Sequence, residues 1–140
     1  MEHIISVLVE NRFGVLAHIA GLFSGRGFNI DSLAVGETHD PSISRMTIVV
    51  RGDDTVVEQI LKQLNRLVDV INVQDLTEQS FVERELMLVK VETSAQTRSE
   101  IIEIADIFRT KIVDVQQGSI TIEASGSGDK LRALLDLLNP

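Results

Sequence analysis

Residues 10–32 read ENRFGVLAHIAGLFSGRGFNIDS, and the fold turns on how this stretch is parsed. Two turns rich in polar residues and glycine, Asn11-Arg12-Phe13-Gly14 and Gly25-Arg26-Gly27-Phe28-Asn29, flank one amphipathic segment. Within that segment Val15, Leu16, Ile19, Ala20, Leu22 and Phe23 recur at helical spacing and form an apolar face about 100° wide. Gly25 and Gly27 stop the helix, as glycine does just beyond a helix C-terminus. Upstream, residues 3–9 are apolar on both faces, which suits a strand inside a sheet. Downstream, residues 29–37 are extended. The parse is strand, turn, helix, turn, strand.

Working outward, Gly36, Asp40, Pro41 and Ser42 supply a turn into residues 45–51, where Met46, Ile48 and Val50 alternate with Thr47 and Val49. Gly52-Asp53-Asp54-Thr55 ends this hairpin. Thr55-Val56-Val57-Glu58 has capping-box spacing ahead of a second helix, with Val57, Ile60, Leu61, Leu64 and Leu67 on one face. Residues 67–76 read as a further strand. The order over residues 1–76 is therefore β-α-β-β-α-β, the α+β ferredoxin-like arrangement in which two helices cover one face of a four-stranded antiparallel sheet. Its right-handed crossovers put the first and third strands in the centre.

Residues 77–85, TEQSFVERE, are polar and without sustained periodicity, as expected of a linker. The pattern then restarts over residues 86–140: strand 86–91, helix 97–109, strands 111–115 and 120–124, and helix 130–138. This second ferredoxin-like copy lacks the closing strand, so an open edge is expected. Either a longer parent chain or another chain is expected to supply it.

Composition narrows the function. Hydrophobic residues make up 44% and charged residues 24% of the 140, enough for a folded core. The formal net charge of -8 repels polyanions, and aromatics at 4% leave few stacking platforms, so no nucleic-acid partner is expected. Without cysteine there is no thiolate nucleophile and no Cys-ligated metal. The start, MEHIISVLVENR, lacks the basic region of a signal peptide. No apolar run approaches the roughly 18–20 residues of a membrane span. A cytoplasmic protein with no membrane association is expected.

Familiar motifs fail on inspection. Gly25-Arg26-Gly27 closes a helix rather than opening one, and Ile30 stands where a dinucleotide fingerprint needs its third glycine. Gly126-Ser127-Gly128-Asp129-Lys130 lacks the ending of a phosphate-binding loop and reads as a helix start. His3, His18 and His39 fall on different elements without metal-ligand spacing, and lone histidines are commonly surface residues. No catalytic residue and no metal site is expected.

The two asparagine turns remain. Both are expected at one end of the sheet, where the first strand exits and the second enters, and so are expected to meet. Asn11 and Asn29 each offer an amide that donates and accepts, and the backbone amides around Gly14 and Val15 favour a carboxylate. Val15, Leu16 and Ile30 offer an apolar wall, so the set suits a small amino acid. Each asparagine also has an ordinary reading: Asn11 as a helix cap, Asn29 as a residue tolerant of a tight turn.

The stretches VLVENRFGVLAHIAGLFSGRGFNIDSL, DPSISRMTIVV and QLNRLVDVINVQDL, followed by VERELMLVKV and ADIFRTKIVDV, resemble the small regulatory subunits of acetolactate (acetohydroxyacid) synthase, a family with ACT domains. The resemblance covers essentially the whole chain. It implies a non-catalytic subunit that activates a separate catalytic large subunit and confers feedback inhibition by valine or another branched-chain amino acid. Thiamine diphosphate, Mg and FAD would reside on that catalytic subunit. It also implies effector binding at Asn11, Gly14 and Asn29, with Val15, Leu16 and Ile30 beside them, at the seam of a homodimer. The second strand is an edge able to pair with its symmetry mate, bringing one chain's Asn29 to the other's Asn11. The second copy lacks both asparagines, so no amino-acid site is expected there. Members of the family usually run past position 140. The alternative is a freestanding ACT-type amino-acid sensor that controls another enzyme or regulator.

Overall fold

The computed structural model describes residues 2–139. They divide between Phe81 and Val82 into two compact units. The first contains β1 (Glu2–Glu10), α1 (Val15–Gly25), β2 (Ile30–Glu37), β3 (Ile43–Arg51), α2 (Asp54–Asn65) and β4 (Val70–Asp75). Its antiparallel sheet runs β2-β3-β1-β4, with the first and third strands central as the crossovers require. β1 is paired on both sides: with β3 from Glu2↔Arg51 to Glu10↔Ile43, and with β4 from Ile5↔Asp75 to Val9↔Val70.

The pairing aims alternate side chains at the helices. Ile5, Val7 and Val9 of β1 and Met46, Ile48 and Val50 of β3 are buried against Val15, Ile19 and Phe23 of α1 and Val57, Ile60 and Leu64 of α2. Burying each such side chain is worth roughly 1.5–3 kcal/mol. This single cluster is what makes one sheet face and two helix stripes mutually necessary.

Both ends of the helices are specified locally. At the end of α1, Gly27 N–H donates to Ser24 O at 3.1 Å and Phe28 N–H to Phe23 O at 3.1 Å, a Schellman closure that needs the left-handed φ of 75° at Gly27. At the start of α2 the cap is Asp53, whose carboxylate accepts from Thr55 N–H at 2.8 Å. Thr55 is therefore not the cap that its capping-box spacing suggested. The helix begins at Asp54, so Thr55 already lies inside the first turn, and the free amide is its own.

His3 is not a surface residue. It is buried, with Nδ1 2.9 Å from Asp75 Oδ2 and Nε2 3.0 Å from Asp54 Oδ1, so one ring ties β1 to β4 and to the first turn of α2. The other oxygen of Asp75 accepts from the Thr77 hydroxyl and from Thr77 N–H at 3.0 Å. Burial pushes the Asp75 carboxyl up, but the hydrogen bonds from Thr77 and from His3, with the attraction of His3, together outweigh it and hold the group below its ordinary value. Thr77 Oγ1 also accepts from Ile4 N–H at 3.0 Å, which fastens this residue to the first unit.

The second unit repeats the plan with β5 (Glu85–Glu92), α3 (Arg98–Ile107), β6 (Lys111–Val115), β7 (Ser119–Gly126) and α4 (Gly128–Leu138). Its sheet runs β5-β7-β6, so β5 takes the place of β1 but, among the described residues, has a neighbour on one side only. Ile101, Ala105, Ile120 and Ile122 form one core cluster, Ala124, Leu131 and Leu134 another, with Leu138 packed against both. Ser127 caps α4. α3 closes as α1 does, with Arg109 N–H to Asp106 O and Thr110 N–H to Ala105 O, both at 3.0 Å. Here Arg109, at φ 56°, occupies the left-handed position that Gly27 holds in the first unit.

Two outcomes follow from these local features. Arg109→Gly relieves a left-handed side chain that costs about 1–2 kcal/mol, less the entropy glycine gives up on folding, and raises stability by about 0.5–1 kcal/mol, whereas Gly27→Ala lowers it by about 1 kcal/mol; urea midpoints measure both. The stability supplied by Asp75 is present above its ordinary pKa of 3.8 and is lost as pH falls through its lower folded value. Asp75→Asn therefore destabilises the protein at neutral pH and leaves a shallower acid limb in the stability profile.

Candidate functional site

At the end of β1 the chain is pinned by backbone bonds to two neighbouring segments: Glu10 N–H to Asp69 O and Asn11 N–H to Ser42 O, both at 2.8 Å. The Asn11 side-chain amide donates to Pro41 O at 3.0 Å and to a Glu37 carboxylate oxygen at 3.4 Å. Asn11 thus fastens the β1–α1 loop to the β2–β3 turn and does not cap α1. That turn is itself rigidified by Asp40, which accepts from the Ser42 hydroxyl at 2.7 Å and from Ser42 N–H at 3.0 Å. These bonds, helped by nearby His39, hold the exposed Asp40 carboxyl below its ordinary value despite slight desolvation.

Gly14 is the N-cap of α1, at a left-handed φ of 86°. No side chain caps the helix and its first turn contains no acidic residue, so the positive end of its dipole meets no carboxylate of that turn; Val15 N–H donates to Arg12 O at 3.4 Å. Beside this helix start lies a cavity of about 70 Å³, lined by Asn11 and Ser44, by the charged Glu10 and Arg12, and by Val9, Val15, Leu16, Val35 and Met46. Leu16, Leu33 and Val35, 40–45% exposed, continue the apolar wall toward the free edge of β2. Phe13, in the loop between Asn11 and Gly14, is fully exposed.

Asn29 and Ile30 lie elsewhere. β1 and β2 both run antiparallel to β3, so they are parallel to each other. Asn11 follows the end of β1, whereas Asn29 precedes the start of β2 at the opposite end of the sheet. The separation is roughly 25 Å, the length of an eight-residue strand at about 3.3 Å per residue. The expectation that the two turns share one end of the sheet is therefore wrong. A helix that returns antiparallel to β1 delivers the chain to the far end before β2 begins.

The Asn29 turn is positioned by its own contacts. Asn29 donates to Asp31 Oδ1 at 3.2 Å, and Asp31 pairs with Arg51 at 3.1 Å. Ile30 packs against the core and stands opposite Val50. The Phe28 ring lies over Gly52, leaving no room there for a Cβ. Within one chain the structure thus assembles Asn11, Gly14, Val15 and Leu16, and keeps Asn29 and Ile30 apart from them.

Sequence reasoning missed Val35, Ser44 and Met46 as wall residues. The signal was available in the alternation of Leu33 and Val35 on β2, which register places opposite Ile48 and Met46. In the second unit the bond corresponding to Asn11 N–H to Ser42 O is Thr93 N–H to Gly118 O at 2.9 Å, and Arg98 reaches Gln117 O at 2.7 Å where Asn11 reaches Pro41 O. Among the described residues, no group of three or more His, Asp or Glu side chains is arranged to hold a metal ion, and no helix is long and apolar enough to cross a membrane.

Comparison with known proteins places this geometry. The family model of the AHAS small subunit-like ACT domain matches residues 5–72, and that of the small subunit of acetolactate synthase matches residues 84–140. A probable acetolactate synthase small subunit of Archaeoglobus fulgidus is 56% identical over 138 residues, covering 99% of this chain and 86% of that protein. The acetolactate synthase small subunit of Aquifex aeolicus is 54% identical over 140 residues, covering 99% and 73%. The crystal structure of the acetolactate synthase small subunit from Thermotoga maritima superposes with a TM-score of 0.90 at 42% identity, over 99% of this chain and 87% of that one. With both units matched in order and relatives above half identity along its length, the chain belongs to the acetolactate synthase small-subunit family and is built of two ferredoxin-like ACT domains.

Proposed function

We propose that this chain is the non-catalytic regulatory subunit of a cytoplasmic acetolactate synthase, activating the catalytic large subunit and conferring feedback inhibition by valine or another branched-chain amino acid. Thiamine diphosphate, Mg and FAD belong, in this reading, to the large subunit. The observation that carries it is the half-site at Asn11: uncapped helix amides, one asparagine and an apolar wall, open toward an unpaired strand edge.

Two-fold pairing of β2 with its mate in a homodimer runs the two edges antiparallel, setting the start of one β2 against the end of the other. The partner's Asn29 and Ile30 then reach the Asn11 end, and each half-site gains what it lacks. The effector carboxylate meets the leading amides of α1 near Gly14 and Val15. The two asparagines serve the ammonium group, and Val15, Leu16 and Ile30 surround the side chain. A ligand held across such a seam biases the geometry of the pair, which is the differential contact that allosteric control requires.

Reconstitution with the large subunit, assayed with and without valine, tests partner, activation and inhibition together. An inert mixture, or a pull-down that recovers some other enzyme, rejects the assignment. Asn29→His is expected to weaken valine binding at least about tenfold, or 1.4 kcal/mol, without unfolding the protein; calorimetry measures it. Mixing Asn11→Ala chains with Asn29→His chains is expected to restore about half the sites in mixed pairs, because one seam then carries both substitutions and the other neither. If each variant binds valine unaided, or mixing restores nothing, the seam is not the site.

A further inference from the structure

The first unit contains six cationic side chains: Arg12, Arg26, Arg45, Arg51, Lys62 and Arg66. Arg12 pairs with Glu10 and Asp69, Arg51 with Asp31 and Glu2, and Lys62 with Glu58. Among the described residues Arg26, Arg45 and Arg66 have no acidic partner. Two of these three, Arg26 and Arg66, line one groove of about 290 Å³ together with Lys62, Gln59 and Gln63, and no acidic residue lines it. In a chain of net charge -8 this is a local reversal of the field.

The groove lies on the helix layer. Lys62, Gln63 and Arg66 lie three, four and seven positions after Gln59, along one flank of α2 and its C-cap, and Arg26 is the C-cap of α1. A cation at a helix C-terminus complements the dipole, which accounts for Arg26 and for Arg66 taken singly. It does not account for their sharing an acid-free groove with Lys62 and two amides. Compact phosphates are commonly held by converging backbone N–H groups at helix N-termini or glycine-rich turns; this groove lies at helix C-termini, and in the Gly25-Arg26-Gly27 turn the Arg26 and Gly27 amides already donate to Phe23 O and Ser24 O. Its positive groups are spread over two helix ends, Lys62 and Arg66 one turn apart on α2 and its C-cap and Arg26 at the C-cap of α1, a spread that matches several carboxylates on an extended or helical segment. None of its lining residues belongs to β2, so an occupied groove leaves the strand edge free.

We propose that the groove between α1 and α2 is the docking surface for an acidic segment of the catalytic subunit. The identity of that partner rests on the reading in the preceding subsection; the acidic character of the segment rests on Arg26 and Arg66, the two cations of the groove without an acidic partner among the described residues.

The test uses the full chain and the catalytic subunit, titrating one into the other and reading the concentration that gives half-maximal activation. R26E/R66E is expected to raise it at least about tenfold and to flatten its salt dependence between about 50 and 500 mM NaCl. R26K/R66K is expected to restore both, since point charges suffice. R45E, which reverses the third unpaired cation outside the groove, is expected to change it by less than about twofold; far-ultraviolet circular dichroism and urea midpoints verify that each variant folds. Activation by folded R26E/R66E within about twofold of wild type, or an equal effect of R45E, overturns the proposal. So does inorganic pyrophosphate that binds wild type, fails to bind R26E/R66E and leaves subunit association unchanged, because the groove then takes a small anion. Failure of the unaltered chain to associate with the catalytic subunit is a different result, and it removes the preceding reading first.

Discussion

Strand β1 is hydrogen-bonded on both sides, by β3 along its whole length and by β4 over its second half, and everything else in the first unit is referred to it. Its register fixes which face of β3 carries Met46, Ile48 and Val50, and that face is the one onto which α1 and α2 must close. Shifting the register by one residue would expose that whole set. The right-handed crossover adds the second constraint. It sends β2 beyond β3 to the edge and starts it at the end remote from where β1 finished.

Around this frame the chain satisfies its polar groups by local means. Schellman closures end α1 and α3, Asp53 and Ser127 cap α2 and α4, and the His3–Asp54–Asp75–Thr77 network knots three elements at the remote end of the sheet. α1, like α3, starts without a side-chain cap. Its capping position is given to Gly14, whose left-handed backbone leaves the leading amides clear of any side chain. A stability optimum would place Ser, Thr or Asp there. The departure falls beside the apolar wall of Leu16 and Val35, in the half-site proposed for the effector, and a glycine there leaves the backbone open to close approach.

Element order and the burial of alternate residues were legible because they depend on periodicities of two and of about 3.6, which sequence displays directly. The strand order followed from handedness. The placement of Asn29 was not legible in the same way, although the topology contained it: two turns close in sequence are not close in space, because the eleven residues of α1 carry the chain to the other end of the sheet. Capping at Asp53 rather than Thr55 depended on where α2 begins, by a margin of two residues. His3 had no local signature at all. Its partners lie 51 and 72 positions away, and only the completed sheet brings them together.

That separation of the two asparagine turns has a consequence for solution behaviour. A small ligand that contacted both Asn11 and Asn29, roughly 25 Å apart within one chain, would have to touch two chains at once, and its apparent affinity would then not be a property of one chain alone. Dilution that dissolves the pair would release the ligand, and ligand would in turn tighten the pair, by the reciprocity of linked equilibria. Control of the enzyme would then be coupled to how much of the regulatory protein the cell makes, through nothing more elaborate than the direction in which a helix returns a chain to its sheet.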